Sequence, residues 1–331
     1  MPDSLLLLVI IFAIALVFAI VNGVNDAANA IAAVISTRVL SPRSAIVMAA
    51  VLNLAGAATG TAVALTIGRG IIDTQELGMG VLIAGLLSVI IWTLFATYLG
   101  LPVSLSHGLV AGLVGAGIAV GGSGVIIWSG FGEVLSAVAS APLLGFLGGL
   151  LVMTALLWGL RRTAPSRVRG IFSNLQILSA AFMAYAHGKN DGQMPIGVMV
   201  MALVVYSGRS DYWDHIPWAI IITCALAISL GTAIGGWRVI RTVGTRITKL
   251  EPVHGFAAQS SAAAVIEGAS WFGIPVSTTH CISSSIMGVG ATKRLSAVRW
   301  GVAGNIIMAW ILTFPICGAL GWLLGKLFGL F

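Results

Sequence analysis

The chain has 331 residues, 58% of them apolar and only 8% charged, with a net charge of +7 and a mean hydropathy of +1.05. A soluble domain carries about 25% charged residues. The composition therefore excludes a soluble enzyme, a secreted disulfide scaffold and a disordered chain, and leaves an all-α integral membrane protein.

In chain order, apolar runs cover residues 5–22, 44–68, 78–99, 108–120, 137–160, 172–186, 194–206, 218–237, 254–273 and 300–330. The first begins beside Asp3 rather than a basic flank and continues into further apolar sequence, which predicts a membrane helix and not a cleaved signal peptide. Several runs fall short of the ~20 residues a span requires, and the short ones flank polar motifs. Asn22-Gly23-Val24-Asn25-Asp26 is predicted to break the first run, and His187-Gly188-Lys189-Asn190-Asp191-Gly192 to break its later counterpart. Pro102 and Pro275 each remove a backbone donor and disfavour helix just before them. The hydroxyl residues that follow predict re-entrant hairpins, each starting a new half-helix at its tip. The expected count is ten to twelve membrane segments. Cys224, Cys281 and Cys317 have no ligand spacing and read as small buried hydrophobes.

The sequence contains itself twice. Asn25-Asp26 returns as Asn190-Asp191, Pro102-Val103-Ser104 as Pro275-Val276-Ser277, His107 as His280, and Pro142 as Pro315. Equivalent loops differ in charge. The basic Arg38–Arg43 loop matches 207–217, which carries Asp211 and Asp214; the slightly acidic loop from Arg69 to Glu76 matches the basic stretch from Arg238 to Lys249; the uncharged loop 121–124 matches Lys293, Arg294 and Arg299. Under the positive-inside rule equivalent loops then face opposite sides. This predicts a first inverted repeat over 1–160, a short cytoplasmic linker over 161–170 and a second inverted repeat over 171–331, with both termini outside an inner, cytoplasmic membrane. The same pattern disposes of nucleic acid as a partner, because the basic residues lie in short loops and form no solvated stripe.

The residue types point to an anion and a cation. Half-helix N-termini suit anions, and two Asn-Asp breaks with two Pro-Val-Ser tips predict a midplane site for a small one. Asn22, Asn25, Asn29 and Asn190 supply amide donors, and Ser104, Ser106, Ser277, Thr278 and Thr279 supply hydroxyls. Asp26 and Asp191 are carboxylates within apolar runs and cannot attract a bare anion. They fit Na⁺, together with hydroxyls such as those of Ser104 and Ser277, or a transferable proton. A protonated phosphate uses acceptors, so carboxylates favour it mildly over sulfate. His107 and His280 read as packing residues or proton carriers, Lys189 as a snorkelling or substrate-facing cation, and Gln259 as a residue near the site or a packing one. Adjacent residues on a helix point about 100° apart, so Ser106/His107 and Thr279/His280 do not form nucleophile–base pairs. No enzymatic activity and no tightly bound cofactor are expected.

These motifs resemble the inorganic phosphate transporter family in its short bacterial form. The resemblance rests on Asn22-Gly23-Val24-Asn25-Asp26-Ala27-Ala28-Asn29, His187-Gly188-Lys189-Asn190-Asp191-Gly192-Gln193, Gly235-Gly236-Trp237-Arg238 and Pro275-Val276-Ser277-Thr278-Thr279-His280. It implies symport of phosphate with Na⁺ or H⁺, a homodimer and an elevator-type motion. It also implies substrate and ion positions at Asn25, Asp26, Asn190, Asp191 and the tip hydroxyls, with Gln193 counted among the substrate residues. The sequence departs from the family at Met194-Pro195 and at Ser104-Leu105-Ser106. A related, sulfate-type oxyanion permease is the alternative.

Overall fold

The computed structural model describes residues 5–73 and 78–328; Asp3 and Glu76, used above in reading charge, lie outside them. The described residues form thirteen α-helices and no strand. The helices are α1 (Leu5–Ser36), α2 (Pro42–Ala57), α3 (Ala62–Arg69), α4 (Met79–Leu99), α5 (Leu105–Gly121), α6 (Trp128–Gly159), α7 (Pro165–Asp191), α8 (Gln193–Ser207), α9 (Trp218–Ile234), α10 (Trp237–Arg241), α11 (Pro252–Trp271), α12 (Thr278–Ala291) and α13 (Trp300–Phe328). By length and composition, α1, α4, α6 and α13 can each cross a bilayer. The pairs α2/α3 and α9/α10, bent by 68° and 63°, raise the number to six if each pair is one span. The rest of the expected segments are the short α5, α8 and α12 and the more polar α7 and α11. Of the predicted linker 161–170, only its start is irregular, because Pro165 begins α7 at the position where its missing N–H costs nothing.

The packing is reciprocal between the halves. α1 lies on α9 as α7 lies on α2, α5 lies on α13 as α12 lies on α6, and α4 meets α5 as α11 meets α12. The basic loops gather on one face. Arg38, Arg161, Arg169, Lys249 and Arg299 line a single crevice there, and Arg299 N donates to Ile247 O at 2.9 Å. The opposite face joins segment 71–73 to 125–127 through the Ile72–Ile126 bridge, with Trp213 against Gly68. α1 ends and α13 begins at the basic face: Ser36 lines the crevice, and Trp300 follows Arg299. The far end of α13 reaches Gly80 on the opposite face.

Three of the four expected helix breaks are as predicted. α4 and α11 end on Gly100 and Gly273, with φ of 73° and 71°, a left-handed conformation that glycine adopts without strain. After Pro102 and Pro275, Ser104 and Ser277 cap α5 and α12, accepting from His107 N at 3.3 Å and His280 N at 3.1 Å. Of the two Asn-Asp segments, only the first differs from expectation. α1 runs unbroken through Asn22–Asp26, since neighbouring helices satisfy Asn25 and Asp26 sideways and the backbone keeps its own ladder. In the second half helix α7 stops at Asp191, and the cause is Pro195: it has no N–H to give to the carbonyl four residues back, that of Asp191. The equivalent residue of the first half is Ala30, so no break is imposed there. Three of the four expected breaks are therefore present, at the starts of α5, α8 and α12, and α1 passes its motif as an intact helix.

Candidate functional site

α1 and α7 bring Asp26 and Asp191 together, both buried. His187 stands between them, its Nε2 3.7 Å from Asp26 Oδ2 and 3.4 Å from Asp191 Oδ2. One ligand atom from each of the three lies within 4.8 Å of the others. The tip of α12 closes this cluster. Thr279 Oγ1 donates to Asp26 Oδ1 at 3.0 Å, and Thr278 Oγ1 lies 3.5 Å from Asp26 and 3.4 Å from Asp191. Asn29 Nδ2 donates to both threonine hydroxyls, at 3.1 and 3.0 Å. The carboxylates, the two hydroxyls and the unpartnered Asn29 Oδ1 form an oxygen-rich centre, the donor set that a hard cation prefers.

The two asparagines beside the aspartates pin the helix breaks. Asn25 Nδ2 donates to Thr97 Oγ1 at 2.7 Å and lies 3.5 Å from Leu101 O. Asn190 Nδ2 donates to Val276 O at 2.9 Å and to Asp191 Oδ1 at 2.7 Å. Each thus serves the irregular backbone of its own half. Asn22, four residues before Asp26, occupies the position equivalent to His187; its amide is buried and has no partner among the described residues.

The tips also meet each other. Ser106 Oγ lies 3.2 Å from Ser104 Oγ and donates to Val276 O at 3.3 Å. The rings of His107 and His280 touch edge-on at 4.9 Å, with Phe314 beside the first and Trp310 beside the second. Neither histidine contacts the aspartates, which favours the packing role. The first N–H groups of α5 and α12 have no helical acceptor of their own, and the two helix starts meet at this junction.

Three of the predicted residues do other work. Gln193 Oε1 accepts from Val63 N and Ala64 N at 2.9 and 3.2 Å, capping α3, while its amide donates to Lys189 O at 2.6 Å. Lys189 pairs with Glu267 and lies 5.4 Å above the Trp271 ring. Gln259 braces α11 against α1 by donating to Ala30 O at 2.7 Å. Gln193→Leu is expected to leave two buried N–H groups without an acceptor and to cost about 1–3 kcal/mol. Thermal unfolding in detergent measures this, with phosphate affinity changing little. Reading the motifs alone gave His187 no role and missed Asn53, whose Oδ1 sits 2.9 Å from His187 Nδ1. The available signal was spacing: His187 and Asp191 stand four apart on one helix face.

A family model described as "Phosphate transporter family" matches residues 22–321. A protein of Rhizobium meliloti (strain 1021) named "Probable low-affinity inorganic phosphate transporter" is 44% identical over 312 residues, 93% of this chain and 92% of its own. One of Bacillus subtilis (strain 168) with the same name is 42% identical over 322 residues, covering 96% of each chain. A solved structure titled "The sodium-dependent phosphate transporter" superposes with a TM-score of 0.88 at 25% identity, over 98% of this chain and all of the other.

Proposed function

Since the chain belongs to the phosphate transporter family, we propose that it carries inorganic phosphate across the membrane by symport with Na⁺ or H⁺. It is a transporter and not an enzyme. The observation that carries the coupling is the buried centre where Asp26, His187 and Asp191 meet the hydroxyls of Thr278 and Thr279. Two carboxylates face one histidine, so with both of them ionised the centre is net negative whichever form the histidine takes. An anion at the adjoining tips of α5 and α12 is then favourable only once a cation has bound, and this mutual dependence is what couples their movement. Phosphate carries hydroxyls that can donate to acceptors at such a site, whereas sulfate has none. His187 Nε2, set against both carboxylates, supports a proton as coupling ion; the oxygen set around Asp26 supports Na⁺.

The proposal includes the inverted arrangement of 1–160 and 171–331, basic loops in the cytoplasm, both termini outside, and the homodimer. The gathering of basic loops on one face supports the orientation. Uptake of labelled phosphate into proteoliposomes is the test, with Na⁺ and pH gradients imposed separately. Accumulation is expected under one of them, and none under either overturns the reading. Stronger competition by sulfate than by unlabelled phosphate would favour the permease alternative.

A further inference from the structure

The basic face holds a feature that transport of a free ion does not require. A crevice of about 1040 Å³ opens between the end of α6, the start of α7 and the segment 244–252. Arg38, Arg161, Arg169, Lys249 and Arg299 line it against one carboxylate, that of Glu251. Among the described residues, none of the five pairs with an acid. The wall below is apolar, built from Met153, Leu156, Leu157 and Leu160. It continues into the outward face of α6, where Leu151, Leu157 and Trp158 are 64%, 47% and 70% exposed. Arg38 adds an independent observation. It is the one non-glycine residue with positive φ, 61°, among the described residues, and it occupies the turn after α1, where Val39 N and Leu40 N both reach back to Val34 O. Glycine would hold that turn with less strain, so the chain keeps an arginine there at a conformational cost.

We propose that this crevice binds a phosphate group carried on an anionic phospholipid, the headgroup among the arginines and an acyl chain along the leucines of α6. A concave cationic pocket at the end of membrane helices, floored by apolar side chains open to lipid, matches a charged amphiphile. A free phosphate ion would gain nothing from the apolar wall. The cations come from both halves and the linker between them, Arg38 from the first half, Arg161 and Arg169 from the linker, and Lys249 and Arg299 from the second half, so a bound lipid would tie the halves together on this face. The inference is independent of the transported substrate.

Purified protein in neutral detergent would be titrated with phosphatidylglycerol, phosphatidylcholine or inorganic phosphate, and followed by native mass spectrometry and thermal unfolding. Phosphatidylglycerol is expected to remain bound and raise the midpoint, and phosphatidylcholine to do neither. The double variant Arg161→Gln/Arg169→Gln should weaken phosphatidylglycerol retention by about tenfold or more. Arg38→Gly should weaken it too while leaving the lipid-free midpoint unchanged or higher, so a folding defect cannot mimic the result. Equal retention of both lipids, or full retention by both variants, overturns the proposal. Displacement of phosphatidylglycerol by millimolar inorganic phosphate would reassign the crevice to the free anion and equally overturn it.

Discussion

Asp26→Asn is expected to cut gradient-driven phosphate uptake by about 100-fold, the equivalent of ~2.7 kcal/mol, while the protein remains folded. Asp26 faces Thr279 at 3.0 Å, Thr278 at 3.5 Å and His187 at 3.7 Å. Hydrogen bonds to a charged group contribute about 1.5–3 kcal/mol, and the substitution removes the charge while keeping the shape. One amide oxygen can still accept from Thr279, so the packing around α1 persists. The remaining carboxylate, Asp191, is then left with His187, and the centre loses one of the two negative charges that the proposed coupling ion would meet. Asp191→Asn should act alike, since Asp191 shares both His187 and Thr278 with Asp26. The measurement is uptake in proteoliposomes against the driving-ion gradient, alongside the elution profile of the purified variant. Undiminished uptake with an unchanged ion dependence would show that Asp26 does not hold the coupling ion.

Much of this site was legible because polar residues are scarce in the chain. The tips after Pro102 and Pro275 could be read from proline chemistry, and Ser104 and Ser277 do cap the helices that follow. The aspartates stood out as repeated carboxylates in apolar runs, and they meet. The misreadings share a cause. A polar motif was equated with a broken helix, yet α1 stays intact because Thr97, Thr278 and Thr279, distant in sequence, satisfy its polar side chains. Gln193 resembled a ligand because it followed the Asn-Asp motif, and only the position of α3 shows that it is a cap. The repeat also conceals divergence. Thr278 and Thr279 correspond to Leu105 and Ser106, and Asn29 to Met194. The hydroxyls and amide therefore favour Asp26, and the two carboxylates are not equivalent.

The second large effect concerns the contact that sets the distance between those carboxylates. Gly23, three residues before Asp26, lies on α9, and a Cβ there would sit 2.1 Å from Ile228 O and 2.7 Å from Thr232 N. Gly188, three residues before Asp191, lies on α2, with Asn53 O at 2.2 Å and Asn53 Cα at 2.6 Å. All four obstructing atoms are backbone, so no rotamer change relieves the clash and the helices must separate. Close approach through small residues is a main source of helix association in lipid, where burying apolar surface gains little. Gly23→Ala and Gly188→Ala are each expected to cost about 3 kcal/mol or more, at the upper end of overpacking effects, out of a total stability of roughly 5–15 kcal/mol. Gly268→Ala is the control, because nothing lies within 4 Å of its added Cβ; on the exposed side of α11 it should be neutral or stabilising by about 0.5–1 kcal/mol. Thermal unfolding and monodispersity in detergent separate the three variants. Uptake by whatever Gly23→Ala or Gly188→Ala protein still folds should fall as well, since moving α1 or α7 outward draws Asp26 or Asp191 away from Thr278. If either variant matches the control in stability and in uptake, the helix spacing does not set the geometry of the ion centre.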